Sequence, residues 1–195
     1  MKNRLLLGSS NLGKLKEIQF YLKYFSLYSN YEVITTKDLN GLIEPAEDAL
    51  TFQENAEIKS QHYFDFTGLT TISDDSGFII DELGNYPGVK TARVVIEHGS
   101  EQGVIDYIFS KFKNISKLNA TFYCALSLVT KNSKYNCLGK IKGKMIPNKK
   151  GTNGFGYDPY FIPAQSKNTF AEMSDDNKLI ASHRFQAFKH LSNQI

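Results

Sequence analysis

Apolar and polar positions succeed one another along this chain in blocks that predict alternating strands and helices. Leu5–Leu7 are an unbroken apolar run and predict a short buried strand over residues 4–8. After it, Ser10 or Asn11 can cap a helix whose Leu12, Leu15, Ile18, Leu22 and Phe25 recur at spacings of three and four, one helical face. YEVIT (31–35) predicts a second strand, EPAED (44–48) an acidic loop, and residues 52–66 a helix stopped by Gly68. LTTIS (69–73) and FIID (78–81) are β-branched runs that predict two strands, with DDSG (74–77) as the turn between them.

GNYPGV (84–89) has loop chemistry, and Val104, Ile105, Ile108, Phe109 and Phe112 predict an amphipathic helix over residues 101–112. Two longer strands, 120–130 and 135–146, are separated by KNSK and predict an antiparallel pair. A glycine-rich loop follows (148–159), then a helix over residues 174–191 that Ser174 caps. Strands and helices in this order predict one α/β unit, residues 1–195, around a mixed sheet.

Composition narrows the function classes. At 195 residues, 41% hydrophobic, the chain can bury an ordinary core, and its net charge of +3 is too mild for binding nucleic acid by electrostatics alone. No apolar run reaches the ~18 residues of a membrane span, and the opening LLLG is too brief for a signal-peptide core, so a cytoplasmic protein is expected. Cys124 and Cys137 have neither zinc-site nor disulfide-framework spacing and are expected to be reduced and structural. Of 23 basic residues only Arg4, Arg93 and Arg184 are arginine, too few for the guanidinium clamps of a nucleotide kinase.

Four segments carry candidate chemistry. Gly8, Gly13 and Lys14 have P-loop spacing, but Leu15 stands where a P-loop has the hydroxyl that holds Mg²⁺. The segment can be an ordinary strand-to-helix turn or a different phosphate site at a helix N-terminus, formed by Ser9, Ser10, Asn11, Leu12, Gly13 and Lys14. Asp74 and Asp75 are adjacent carboxylates that repel unless compensated, which favours Mg²⁺ ligation or general-base work over a solvated turn. Glu44, Glu47 and Asp48 could complete a metal shell. In GTNGFGYDP (151–159), Phe155 and Tyr157 offer faces for a base to stack on, and His183 with Arg184 offers a fork for a base carbonyl or phosphate.

Taken together, these segments resemble the Ham1 family of inosine triphosphate pyrophosphatases. The resemblance runs in register through Ser9–Lys14 with Glu17, TFQENAEIK (51–59), DDSG (74–77), LGNYPGVKTAR (83–93), GFGYDP (154–159) and SHR (182–184), and covers nearly the whole chain. It implies an elongated mixed β-sheet flanked by helices, two lobes around a central nucleotide cleft, and a homodimer. The implied reaction is Mg²⁺-dependent hydrolysis of deaminated purine nucleoside triphosphates (ITP, dITP, XTP) to monophosphate and pyrophosphate. By the family pattern Ser9, Ser10, Asn11, Leu12, Gly13, Lys14 and Lys178 hold phosphates, and Asp75 binds metal and accepts a proton, with Glu47 as second metal ligand. Ser76 contacts substrate, and Phe155, Gly156, Tyr157, Asp158, His183 and Arg184 form the base pocket. The chain departs from the pattern at Ser10 and Ala49, where the family commonly has Gly, and at Lys90-Thr91, commonly Tyr-Ser.

Two other readings compete. A P-loop nucleoside monophosphate kinase would share Gly8–Lys14 but needs a phosphate acceptor, and Leu15 and the scarcity of arginine oppose it. A non-catalytic nucleotide-binding module would have little use for the paired charge of Asp74 and Asp75.

Overall fold

The computed structural model describes residues 3–195. Its sheet has the strand order β2-β1-β3-β5-β6-β7, with β4 paired to β3. β1 (Arg4–Leu7) is parallel to β2 (Glu32–Thr35), with Leu6 opposite Ile34, and to β3 (Thr70–Ile80), with Leu6 opposite Thr71. β4 (Tyr86–Pro87) is antiparallel to β3, and β7 (Phe161–Pro163) to β6 (Lys134–Met145). β5 (Leu118–Val129) is bonded to β6 and joined to it by the Thr130–Ser133 turn, a connection short enough only for an antiparallel pair. The fold is therefore mixed α/β, as the order of elements predicts.

The chain divides into two compact units. The first comprises the residues up to Asp75, Cys124–Gly139 and Arg184–Ile195. It holds helix α1 (Leu12–Tyr24), whose Leu15, Ile18 and Leu22 are buried, and α2 (Phe52–Thr67). Each such buried side chain contributes about 1.5–3 kcal/mol of hydrophobic stabilisation. Leu12, placed on the same stripe by spacing, is exposed because it is the first residue of the helix. A reciprocal Thr51/Glu54 capping box starts α2, and Gly68, at φ 68°, ends it in the left-handed conformation that glycine adopts freely.

The second unit comprises Ser76–Tyr123 and Lys140–His183. It holds α3 (Thr91–His98), α4 (Glu101–Ser110) and α5 (Asp175–Ala181), and its core gathers Phe78, Val104, Ile108, Phe122, Phe161 and Phe170. Helix α6 (His183–Ser192) begins at this unit's last residue and continues in the first. Among the described residues no helix is long and apolar enough to cross a membrane.

Two expectations are corrected. DDSG is not a turn: Asp74–Gly77 lie inside the single eleven-residue strand β3, where polar residues are accommodated by buried partners. The helix predicted over 174–191 is two, because Ser182 is extended (φ −85°, ψ 161°) and breaks it immediately before His183.

Candidate active site

Side chains alternate faces along a strand, so the β3 backbone sends Asp74 and Asp75 to opposite sides of the sheet. One side meets α1 and α6. There Asp74, fully buried, accepts from Arg184 Nη2 at 3.0 Å and lies 3.3 Å from Lys14 Nζ, both at Oδ2. Arg184 Nη1 also pairs with Glu17. Burial pushes the Asp74 carboxyl up, but Lys14, Arg184 and Lys59 outweigh it and hold Asp74 well below the usual carboxylate range.

The other side meets α2. Asn55 and Lys59, four residues apart and hence on one helical face, are both buried against β3. Asn55 Nδ2 donates to Asp75 Oδ2 at 3.0 Å. The Lys59 ammonium lies 4.0 Å from Asp75 Oδ1 and 2.7 Å from Glu47 Oε2. Here burial prevails over the attraction of Lys59 and Lys14, and the Asp75 pKa is raised. Adjacent carboxylates are thus driven apart: Asp74 is a fixed anion, and Asp75 is a better proton acceptor than an ordinary aspartate.

The opening loop sits at the N-terminus of α1. Asn11 caps the helix, its Oδ1 accepting from Gly13 N at 2.9 Å and Lys14 N at 3.2 Å, while Asn11 N donates to Ser9 Oγ at 3.3 Å. Gly8 passes so close to Ser73 and Tyr63 that a Cβ there would collide with both. Leu15 is 6% exposed and faces the core. Ser10 lies in the exposed part of the loop, Leu12 is exposed at the first position of α1, and Ser76 follows Asp75 in β3.

In the second unit, Phe155, Gly156, Tyr157 and Asp158 belong to the glycine-rich loop, and Lys178 meets Phe155 and Asp158 there. Asp158 Oδ2 accepts from Phe155 N at 2.8 Å and pairs with Lys178 Nζ at 3.0 Å. The same ammonium stands 4.7 Å from the centre of the Phe155 ring. Gly154 has φ 75°, and a Cβ on it would strike the Asp158 carboxylate, so glycine is needed for this turn. The His183 ring stacks on Phe122, 5.2 Å between centres.

Three of the expected site residues have partners within the protein. Tyr157 packs its ring on Phe78, 4.6 Å between centres, inside the core, so Phe155 is left as the aromatic face of this loop. The Lys178 ammonium is shared between the Asp158 carboxylate and the Phe155 ring. Arg184 is 1% exposed and its terminal nitrogens hold Glu17 and Asp74. Sequence reasoning missed Asn55 and Lys59 as site residues; the available signal was two polar residues at i and i+4 on the inward face of α2. Cys124 and Cys137 are free and buried, and burial pushes the Cys124 thiol up to about 12, so neither is a reactive thiolate.

The Ham1 family model matches residues 5–194. A dITP/XTP pyrophosphatase of Corynebacterium glutamicum is 37% identical over 200 residues, spanning 98% of this chain and 96% of its own. One from Zymomonas mobilis is 38% identical, spanning 96% and 90%. Among solved structures, the Staphylococcus aureus Ham1 protein superposes with a TM-score of 0.83 at 29% identity, covering 98% of this chain and 97% of its own. A nucleoside-triphosphatase, dITP/XTP pyrophosphatase, from Mycobacterium abscessus superposes with a TM-score of 0.75 at 31% identity, covering 98% and 97%.

Proposed function

The chain belongs to the Ham1 family, and from that premise we propose how it acts as a nucleoside triphosphate pyrophosphatase. It hydrolyses deaminated purine nucleoside triphosphates of the ITP, dITP and XTP class to the monophosphate and pyrophosphate. The observation that carries the mechanism is the pair of carboxylates, Asp75 and Glu47, converging on the single cation of Lys59. Among the described residues no three His, Cys, Asp or Glu side chains gather as a metal cage. Two carboxylates nevertheless fit Mg²⁺, which takes one or two from a protein and fills its shell with water and phosphate oxygens. When bound, Mg²⁺ neutralises phosphate charge and makes water more acidic.

Asp75 accepts the proton of the attacking water, its basicity raised by burial and its orientation set by Asn55. Ser9, Ser10, Asn11, Leu12, Gly13 and Lys14 hold the phosphates at the N-terminus of α1; phosphate oxygens replace Asn11 Oδ1 as acceptors for Gly13 N and Lys14 N. Lys14 carries the cation that stabilises the departing pyrophosphate. Ser76, next to Asp75, contacts the substrate.

Phe155 supplies the face on which the base stacks, in a pocket with Gly156, Tyr157 and His183. Lys178 and Asp158 present a donor beside an acceptor, the complement of a 6-oxo purine's O6 and N1–H. Adenine offers the reverse pattern, so neither group gains a hydrogen bond from it. The reading includes a homodimer, which the family resemblance supports, and a cytoplasmic location.

Product identification tests it. ITP with Mg²⁺ yields IMP and pyrophosphate, and a chelator stops the reaction until Mg²⁺ is restored. IDP with orthophosphate, or turnover only with a phosphate acceptor, overturns it; the buried Leu15 already opposes a P-loop kinase.

A further inference from the structure

We propose that Arg184 is a positioning residue for Lys14, acting through Glu17 and Asp74 on the phosphate-binding end of α1 rather than reading the base. The proposal rests on the phosphate role of Ser9–Lys14. Arg184, Glu17 and Asp74 are all buried, and Lys14 reaches the same oxygen of Asp74 that Arg184 Nη2 holds. The four side chains make a chain of alternating charge, Glu17–Arg184–Asp74–Lys14, with two anions matched by two cations.

The spacing of the elements explains what Arg184 does in this chain. Lys14 and Glu17 are three apart on α1 and share a face, Asp74 is on β3, and Arg184 is in the first turn of α6. One planar guanidinium therefore ties α1 to β3 by gripping a carboxylate from each, a span a lysine point charge does not reproduce. Because Asp74 Oδ2 is shared, Lys14 stands at 3.3 Å, beyond the roughly 2.7–2.9 Å of a tight charge-assisted bond, and its ammonium keeps donor capacity for a phosphate. Without Arg184, two buried carboxylates face one ammonium, and Lys14 is drawn onto them and away from the substrate.

Pyrophosphate carries no base, so it separates the two roles. Inhibition of the Mg²⁺-loaded full chain by inorganic pyrophosphate, and the ratio of kcat/KM for dITP to that for dATP, are measured for Arg184→Lys, Glu17→Gln and Lys14→Ala. Arg184→Lys should raise the pyrophosphate inhibition constant about tenfold, with the dITP:dATP ratio unchanged within about twofold. A collapsed ratio with unchanged pyrophosphate inhibition overturns the proposal and makes Arg184 a base reader; two unchanged readouts also overturn it. If Lys14→Ala leaves pyrophosphate inhibition unchanged, the phosphate-loop reading fails and the proposal with it. Should Arg184→Lys not fold by circular dichroism, Glu17→Gln decides the question: a weaker grip on pyrophosphate at constant ratio supports the proposal, and no change overturns it.

Discussion

Asn55 donates a 3.0 Å hydrogen bond to Asp75 Oδ2, holding one oxygen of the buried carboxylate while the other faces Lys59. A carboxylate fixed in this way would meet a water in a single orientation. Asp75→Asn should lower turnover of dITP at least ~100-fold by removing both base and metal ligand, with the melting curve retained. Asn55→Ala, which leaves the carboxylate but frees its orientation, should lower kcat about tenfold. Steady-state kinetics on both variants check this; an Asp75→Asn enzyme of ordinary activity would remove Asp75 from the mechanism.

Much of this arrangement was legible in the chain, and the part that was not has a physical reason. The strand–helix order, the Asn11 start of α1, the Gly68 stop of α2 and the β5–β6 hairpin follow from periodicity and capping, which are local properties. DDSG misled because two carboxylates in a row normally mark a solvated turn, and only distant partners make them tolerable in a strand: Arg184 and Lys14 for Asp74, Asn55 and Lys59 for Asp75. The break at Ser182 is likewise invisible to periodicity, since apolar spacing continues through it. The burial of Arg184 is not legible in the SHR tripeptide, because its partner Glu17 lies 167 residues away.

Acid stability should report on Asp74. Its native pKa is depressed by Lys14 and Arg184 against the opposing effect of burial, so the native state binds fewer protons than the unfolded chain. The stabilisation is present in full above the ordinary value of 3.8 and is lost as pH falls below it toward the native value. Urea midpoints measured from about pH 7 to pH 3 should therefore fall for the native chain and fall less for Asp74→Asn, which should also start lower at neutral pH because Arg184 and Lys14 lose their buried counter-charge. Parallel curves for the two proteins would count against the assignment.

Gly8 should be intolerant of the smallest side chain. A Cβ at this position would overlap Ser73 Oγ and the Tyr63 ring, both buried, and Gly8 N is bonded to Ile72 O at 2.8 Å, so the strand cannot move aside. Gly8→Ala should cost about 1–3 kcal/mol of stability and weaken substrate binding by displacing the following phosphate loop. Thermal melting and KM for dITP test the two effects, and a variant as stable as the native chain would show that the approach relaxes.

The pocket around Phe155 should separate base affinity from base choice. Phe155 carries the stacking face but no hydrogen-bonding group, so Phe155→Ala should raise KM for dITP and dATP alike, by about tenfold if one base-aromatic stack is lost, with a smaller change in kcat. Lys178 and Asp158 lie 3.0 Å apart and present opposite hydrogen-bonding characters. Lys178→Met removes the donor for O6 and should lower kcat/KM for dITP about tenfold or more while leaving dATP, which has no acceptor to offer at that position, nearly unaffected. The discrimination between the two triphosphates should therefore shrink in Lys178→Met and persist in Phe155→Ala. Kinetics with both substrates on both variants distinguish these outcomes, and a Lys178→Met enzyme that loses both activities equally would return Lys178 to the phosphates.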